Sequence, residues 1–215
     1  MERIITAPGL FTRPLGRPEP MPYARSMSGV DDSGLMLAYA DGDTRAFELL
    51  YVKYKNSLYR YLLRMSNDPA TAEDLAQEVW AKLIRARSRY RPEAKFSTYL
   101  FRIAHNAFID STRRSARRRG TIELDADTQS DPAPPLDEAV GRDELKRFFL
   151  VALADLPREQ RDAYLLHEEA SLSVMTVAEV TGVTAETAKS RIRYAVAKLK
   201  RSLRDLETGG HEREK

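Results

Sequence analysis

Apolar residues recur at steps of three and four from Leu35 to about Arg114, and again from about Leu145 to Leu203. That period marks amphipathic α-helices, because residues so spaced share one face. In "LMLAYADGDTRAFELLYVKYKNSLYRYLLRM" the repeating positions include Ala46, Leu49, Leu50, Leu58 and Leu62. "AEDLAQEVWAKLIRARSRY" carries Ala72, Leu75, Ala76, Val79 and Leu83 on one stripe. Asp68, Pro69 and Thr71 mark its start, and Thr71 with Asp74 resembles a capping box. After the loop "RYRPEAK" comes "FSTYLFRIAHNAFIDSTRRSARRR", where Leu100, Ile103, Ala104 and Ala107 suit a core. Further on, Leu145, Phe149, Ala152, Leu153 and Leu156 form one stripe, and Pro157 opens a helix that Ala163 and Leu166 continue. No segment alternates as a strand does. The expected fold is all-α.

Two stretches break the periodicity. Residues 1–30 hold Pro8, Pro14, Pro18, Pro20 and Pro22 among glycines and read as a disordered extension. "TIELDADTQSDPAPPLDEA" holds Glu123, Asp125, Asp127, Asp131, Asp137 and Glu138, three prolines and no Lys or Arg. It reads as an extended acidic linker. The expected organisation is therefore two small helical domains, 31–115 and 141–206, joined by a linker over 116–140, with a short tail at 207–215.

Composition narrows the function. Of 215 residues, 42% are hydrophobic and 31% charged, which suits packed cores with much exposed helix. The absence of cysteine rules out disulfides and Cys-based zinc sites. His105, His167 and His211 make no spaced ligand pair, so no metal or other cofactor is expected. No apolar run approaches membrane-spanning length and the start lacks a signal peptide, so a cytoplasmic protein without membrane insertion is expected. No nucleophile, metal site or phosphate loop points to an enzyme. The net charge of +3 is small, but it is segregated into basic helices and an acidic linker.

Two helices carry that basic charge in patterns suited to nucleic acid. "SLSVMTVAEVTGVTAETAKSRIRYAVAKLKRSL" reads as a helix-turn-helix. Ala178 is small at the expected helix crossing, Gly182 can take the positive φ of the turn, and Thr184 can cap the next helix with Thr187 at its third position. Ala188, Ile192, Ala195, Val196, Leu199 and Leu203 then share one face, leaving Glu186, Ser190, Arg193 and Tyr194 opposite, flanked by Lys189 and Arg191. Such a face fits the major groove, where Arg reads guanine edges while Ser and Lys hold phosphates. A solvated bundle helix with a basic end is the competing reading. The other segment, residues 96–119, combines rings, amide edges and arginines, which suits bases that have left the stack.

The order and spacing of "DGDTRAFELLYVKY", "AEDLAQEVWAKL", "FSTYLFRIAHNAFIDSTRR", "LPREQRDAYLLHE" and "VAEVTGVTAETAKSRI" resemble the bacterial RNA polymerase sigma factors of the extracytoplasmic-function group. The likeness runs over residues 35–205. It implies a promoter-specificity subunit whose partners are core RNA polymerase and promoter DNA, double-stranded at the −35 element and single-stranded at the −10 element. It leaves room for an anti-sigma factor as a further partner. The alternative is a helix-turn-helix regulator acting without polymerase, which usually needs a dimer face to read paired half-sites. An amphipathic adaptor or anionic-membrane binder is a third reading, disfavoured by the broken basic segments.

The resemblance assigns residues by motif. The family's polymerase-clamp positions fall on Asp74, Gln77 and Glu78. Helix N-terminal acids are the ordinary alternative for Asp74 but not for Glu78. For the −10 element, Tyr99 and Phe101 offer ring faces, His105 and Asn106 hydrogen-bonding edges, and Arg102, Arg113 and Arg114 phosphate contacts, with one of the two aromatics also available to the core. For the −35 element the residues are Glu186, Lys189, Ser190, Arg193 and Tyr194. Tyr99 stands where the family usually has Trp, Tyr194 where Arg is common, and Thr181 where an apolar residue precedes the turn glycine. The acidic linker matches a segment that threads the polymerase as a nucleic-acid mimic, though its composition equally suits a plain spacer.

Overall fold

The computed structural model describes residues 31–121 and 142–210. The expectations for residues 1–30, for 122–140 of the expected linker 116–140 and for 211–215 of the expected tail 207–215 lie outside the described residues; residues 116–121 and 207–210 instead continue helices as the last turns of the fourth and eighth. Eight α-helices are described: α1 (Asp32–Ala40), α2 (Thr44–Ser66), α3 (Pro69–Ala86), α4 (Phe96–Thr121), α5 (Arg142–Ala154), α6 (Arg158–Glu168), α7 (Val174–Thr181) and α8 (Ala185–Gly210). A single 3-10 turn, Arg87–Arg89, follows α3. Among the described residues there is no strand, as expected.

Helices α1–α4 pack around Met36, Leu50, Leu58, Leu62, Leu83 and Leu100, all buried. Burying each such side chain is worth roughly 1.5–3 kcal/mol. Local chemistry fixes where these helices start and stop. Asp43 and Asp68 cap α2 and α3 by accepting from the Arg45 and Thr71 amides. The cap of α3 is thus Asp68, with Pro69 in the first turn, and Thr71 serves as its donor, not as the cap. Asn67, at φ 54°, ends α2 in the left-handed conformation that Asn tolerates. Asp32 ties α1 to α2 through Lys53 Nζ at 2.6 Å and the Tyr54 hydroxyl at 2.5 Å.

Helices α5–α8 form the second group around Leu153, Leu165, Leu166, Val177, Ala188 and Ala195. Leu145, expected on its stripe, is instead exposed. Phe149 is half-buried and takes the Arg64 guanidinium over its ring at 5.9 Å. The two groups meet: α2 touches α5 and α6, and α4 touches α7.

Candidate nucleic-acid interface

The turn between α7 and α8 forms as its residues predict. Gly182 ends α7 at φ 69°, where a Cβ would be strained by the backbone alone, since no atom lies within 4 Å of it. The Thr187 amide donates to Thr184 Oγ1 at 3.2 Å, capping α8. Thr181 donates to the Val177 carbonyl at 2.7 Å, so its hydroxyl is satisfied within α7. Ala188, Ile192, Ala195 and Leu199 are buried, which turns Glu186, Lys189, Arg193 and Tyr194 outward, with Ser190 half-buried at the edge. Arg193 lies over the Tyr194 ring at 5.2 Å, holding both side chains on that outer face.

On α4 the residues assigned to the −10 element divide. Tyr99 and Asn106, seven apart, share a face with Ile103 and Asp110, and the four line an open cavity of about 500 Å³. The opposite wall comes from the end of α3 and the turn after it: Lys82, Arg85, Ala86 and Arg89. The cavity is shallow and open to solvent along its outer side. The Tyr99 ring meets the buried Tyr90 ring edge-on at 5.1 Å, which limits its rotation. Burial, and then proximity to Tyr90, push the Tyr99 hydroxyl pKa upward, so it remains a neutral donor. Arg113 is exposed one turn beyond.

Three assignments look elsewhere. Phe101 is fully buried and packs edge-on against Tyr61 at 5.6 Å, so its ring face belongs to the core. It is the aromatic of the pair that the core takes, because position 101 lies on the same side of α4 as Ala104 and Phe108. Arg102 is ion-paired with Glu179 of α7. His105 Nδ1 lies 2.9 Å from Asp162 Oδ2 of α6, without hydrogen-bond alignment. Lys82, Arg85 and Arg89 were missed by sequence reasoning. Their signal was present: "AKLIRARSR" repeats cations every two or three residues at the end of a helix.

The clamp-assigned residues lie on the outer side of α3. Asp74 and Gln77 are exposed. Glu78 is half-buried and engaged, accepting from Lys82 at 2.7 Å and from Arg114 at 3.3 Å. The hydrogen bond from Lys82, then the nearby positive charges, hold its carboxyl below the usual range despite partial desolvation. Glu78 is therefore an ionised bridge between α3 and the basic end of α4. Among the described residues no group of three or more His, Asp or Glu could hold a metal, and no helix is long and apolar enough to cross a membrane.

Both halves match known families. The Sigma-70 region 2 family model matches residues 50–118, and the Sigma-70, region 4 model matches residues 149–199. RNA polymerase sigma factor CarQ of Myxococcus xanthus is 31% identical over 174 residues, covering 80% of this chain and 97% of CarQ. The ECF RNA polymerase sigma factor SigW of Bacillus subtilis is 31% identical, covering 77% of this chain and 92% of its own. Among solved structures, CnrH in complex with the cytosolic domain of CnrY aligns with a TM-score of 0.59 at 22% identity, over 81% of this chain and 97% of that one. RpoE in complex with the anti-sigma factor NepR, from Bartonella quintana, aligns with a TM-score of 0.58 at 22% identity, over 74% and 96%.

Proposed function

This chain belongs to the extracytoplasmic-function group of the sigma-70 family, which directs RNA polymerase to promoters, and from that premise we propose how its residues divide the work. Asp74, Gln77 and Glu78 on α3 meet the polymerase clamp. The outer face of α8 reads the −35 duplex, with Arg193 as a base-reading residue and Lys189 and Ser190 on phosphates. The cavity between α3 and α4 holds an unstacked −10 base against Tyr99, with Asn106 at its edge and Lys82, Arg85 and Arg89 on the adjoining phosphates.

The observation that carries this reading is the cavity. One ring, one amide and three cations converge there, with Asp110 the acid of the lining and Lys82 shared with Glu78, on the half matched by the region 2 family model. Duplex DNA keeps its bases stacked and cannot use the ring, so the cavity favours a strand already opened. The protein performs no catalysis of its own and works in the cytoplasm, where polymerase and DNA are. An anti-sigma factor is a further partner, consistent with the NepR-bound relative of the same fold.

The test is transcription in vitro with purified core polymerase on genomic DNA, mapping start sites. Start sites that share a −10 and a −35 sequence, and that vanish without this chain, are expected. Transcripts independent of the chain, or starts with no shared sequence, would refute the reading.

A further inference from the structure

The lining of the cavity between α3 and α4 is longer than one base. Its α4 wall runs from Tyr99 through Ile103 and Asn106 to Asp110, a rise of about 16 Å at 1.5 Å per residue. A stacked strand advances about 3.4 Å per nucleotide, and an unstacked one further. A base stacked on Tyr99 therefore leaves Asp110 uncovered, for a neighbouring nucleotide. Asn106, one turn before Asp110, borders both positions.

The two ends of the lining also differ in charge. Arg89 precedes Tyr90, whose ring meets that of Tyr99 at 5.1 Å, so a guanidinium stands at the Tyr99 end. At the other end Lys82 is bonded to Glu78, and Glu78 is paired with Arg114, one turn beyond Asp110. Lys82 and Arg114 there balance Glu78 and Asp110, which leaves little net charge to draw a phosphate. Asp110 is exposed and takes no hydrogen bond or ion pair among the described residues, although Lys82 stands in the same lining. An ionised carboxylate only accepts, whereas an Asn amide both donates and accepts. Side chains four apart on a helix are neighbours, with about 5–6 Å between Cβ atoms. Asn106 and Asp110 thus offer a base edge two acceptor oxygens beside one amide.

We propose that Asp110, with Asn106, reads a second nucleotide of the −10 strand and selects guanine at that position. The proposal rests on the single-strand reading above. Guanine carries N1–H and N2–H side by side, which match the two oxygens of a carboxylate, and its O6 then lies toward an amide N–H. Adenine and cytosine bring only the exocyclic amino group to the same carboxylate. Thymine has one N–H between two carbonyl oxygens, which the carboxylate repels. In a duplex the N1–H of guanine is paired with cytosine and its major-groove edge shows only acceptors. Asp110 therefore reads the strand only after it has opened.

The test uses holoenzyme assembled from core polymerase and the full chain, with a pool of single-stranded DNA randomised over the −10 element. Bound strands are sequenced for the wild type, Tyr99→Ala, Asp110→Asn and Asp110→Ala. The wild-type pool should be enriched in guanine over thymine at one position by roughly fivefold or more, the low end for a bidentate contact because the cavity is open. Asp110→Asn keeps the shape and adds a donor. It should lose that guanine and admit thymine there, while the neighbouring position that depends on Tyr99 stays as in the wild type. A synthetic strand carrying inosine for that guanine lacks the 2-amino group. It should bind the wild type several-fold more weakly than guanine does, yet bind Asp110→Ala equally well. The same base ranking in the wild type and both Asp110 variants would overturn the proposal, even if every strand bound the variants more tightly; Asp110 would then only repel phosphate. If Tyr99→Ala also left the pool unchanged, the base-capture reading would fall with it. If Tyr99→Ala alone changed the pool, that reading would stand and only the Asp110 assignment would go.

Discussion

Replacing Tyr99 separates stacking from simple attraction to phosphate. Its ring is the single aromatic lining the cavity, held edge-on to Tyr90 at 5.1 Å. Stacking on one base is worth roughly 1–3 kcal/mol, and about 1.4 kcal/mol is a factor of ten. Tyr99→Ala should therefore weaken binding of a single-stranded −10 oligonucleotide by roughly 5- to 150-fold. It should also cost stability, since the Tyr90 pair contributes about 0.5–1.5 kcal/mol beyond area burial. Tyr99→Phe keeps the ring and should bind nearly as wild type. Fluorescence anisotropy with labelled single-stranded and duplex forms of one sequence, at fixed salt and below the melting range of each variant, reads the difference. Equal weakening on both forms would refute stacking. So would a Phe variant as weak as Ala, which would move the effect to the hydroxyl.

Other consequences are quickly stated. Arg193→Ala should cost roughly 1–3 kcal/mol at one base position of the −35 element in a promoter-variant panel; equal loss across all variants would make Arg193 a phosphate contact. Arg85→Ala with Arg89→Ala should lower the single-strand salt slope by about 1.4, at roughly 0.7 per phosphate contact, and an unchanged slope would remove both from the path of the strand. Glu78→Lys should reduce binding to core polymerase while stability falls by about 1 kcal/mol at most, because its partners Lys82 and Arg114 form surface ion pairs with it; parallel loss of fold and binding would make Glu78 structural. Gly182→Ala should destabilise the second half by roughly 1–2 kcal/mol through its left-handed backbone alone, and a neutral result in chemical denaturation would show that the turn relaxes.

Much of this fold was legible because it is local. The period-three-and-four stripes marked the helices, and the Gly182 turn with its Thr184 cap depends only on residues within a few positions of each other. The outer face of α8 followed from the same arithmetic, since a buried stripe on a straight helix fixes the opposite face. On α4 that arithmetic was insufficient. The helix is covered on more than one side, by α2 and α3 as well as α7, so no single apolar stripe separates its inside from its outside. Tyr99 and Phe101 differ by about 200° around the axis, yet both are aromatic and neither position announces which one the core will take.

The contact between the halves was illegible for a deeper reason. Within "LPREQRDAYLLHE", Asp162 looks like one more acid of a solvated helix, flanked by Arg161 and Ala163. Burying a carboxylate costs several kcal/mol unless hydrogen bonds and charges replace its water. Here the hydrogen bond comes from Tyr61, 101 positions earlier, with His105 beside the second oxygen and the charge of the adjacent Arg161 close by. Neither residue carries a local sign of that role: Tyr61 sits on an apolar stripe, and His105 neighbours a plausible base-reading amide. Tyr61→Phe, which keeps the ring and removes the donor, should therefore leave the buried Asp162 oxygen without its hydrogen bond and destabilise the protein by roughly 1–3 kcal/mol in chemical denaturation. A neutral result would show that the Asp162 carboxylate does not depend on the Tyr61 hydroxyl for its burial.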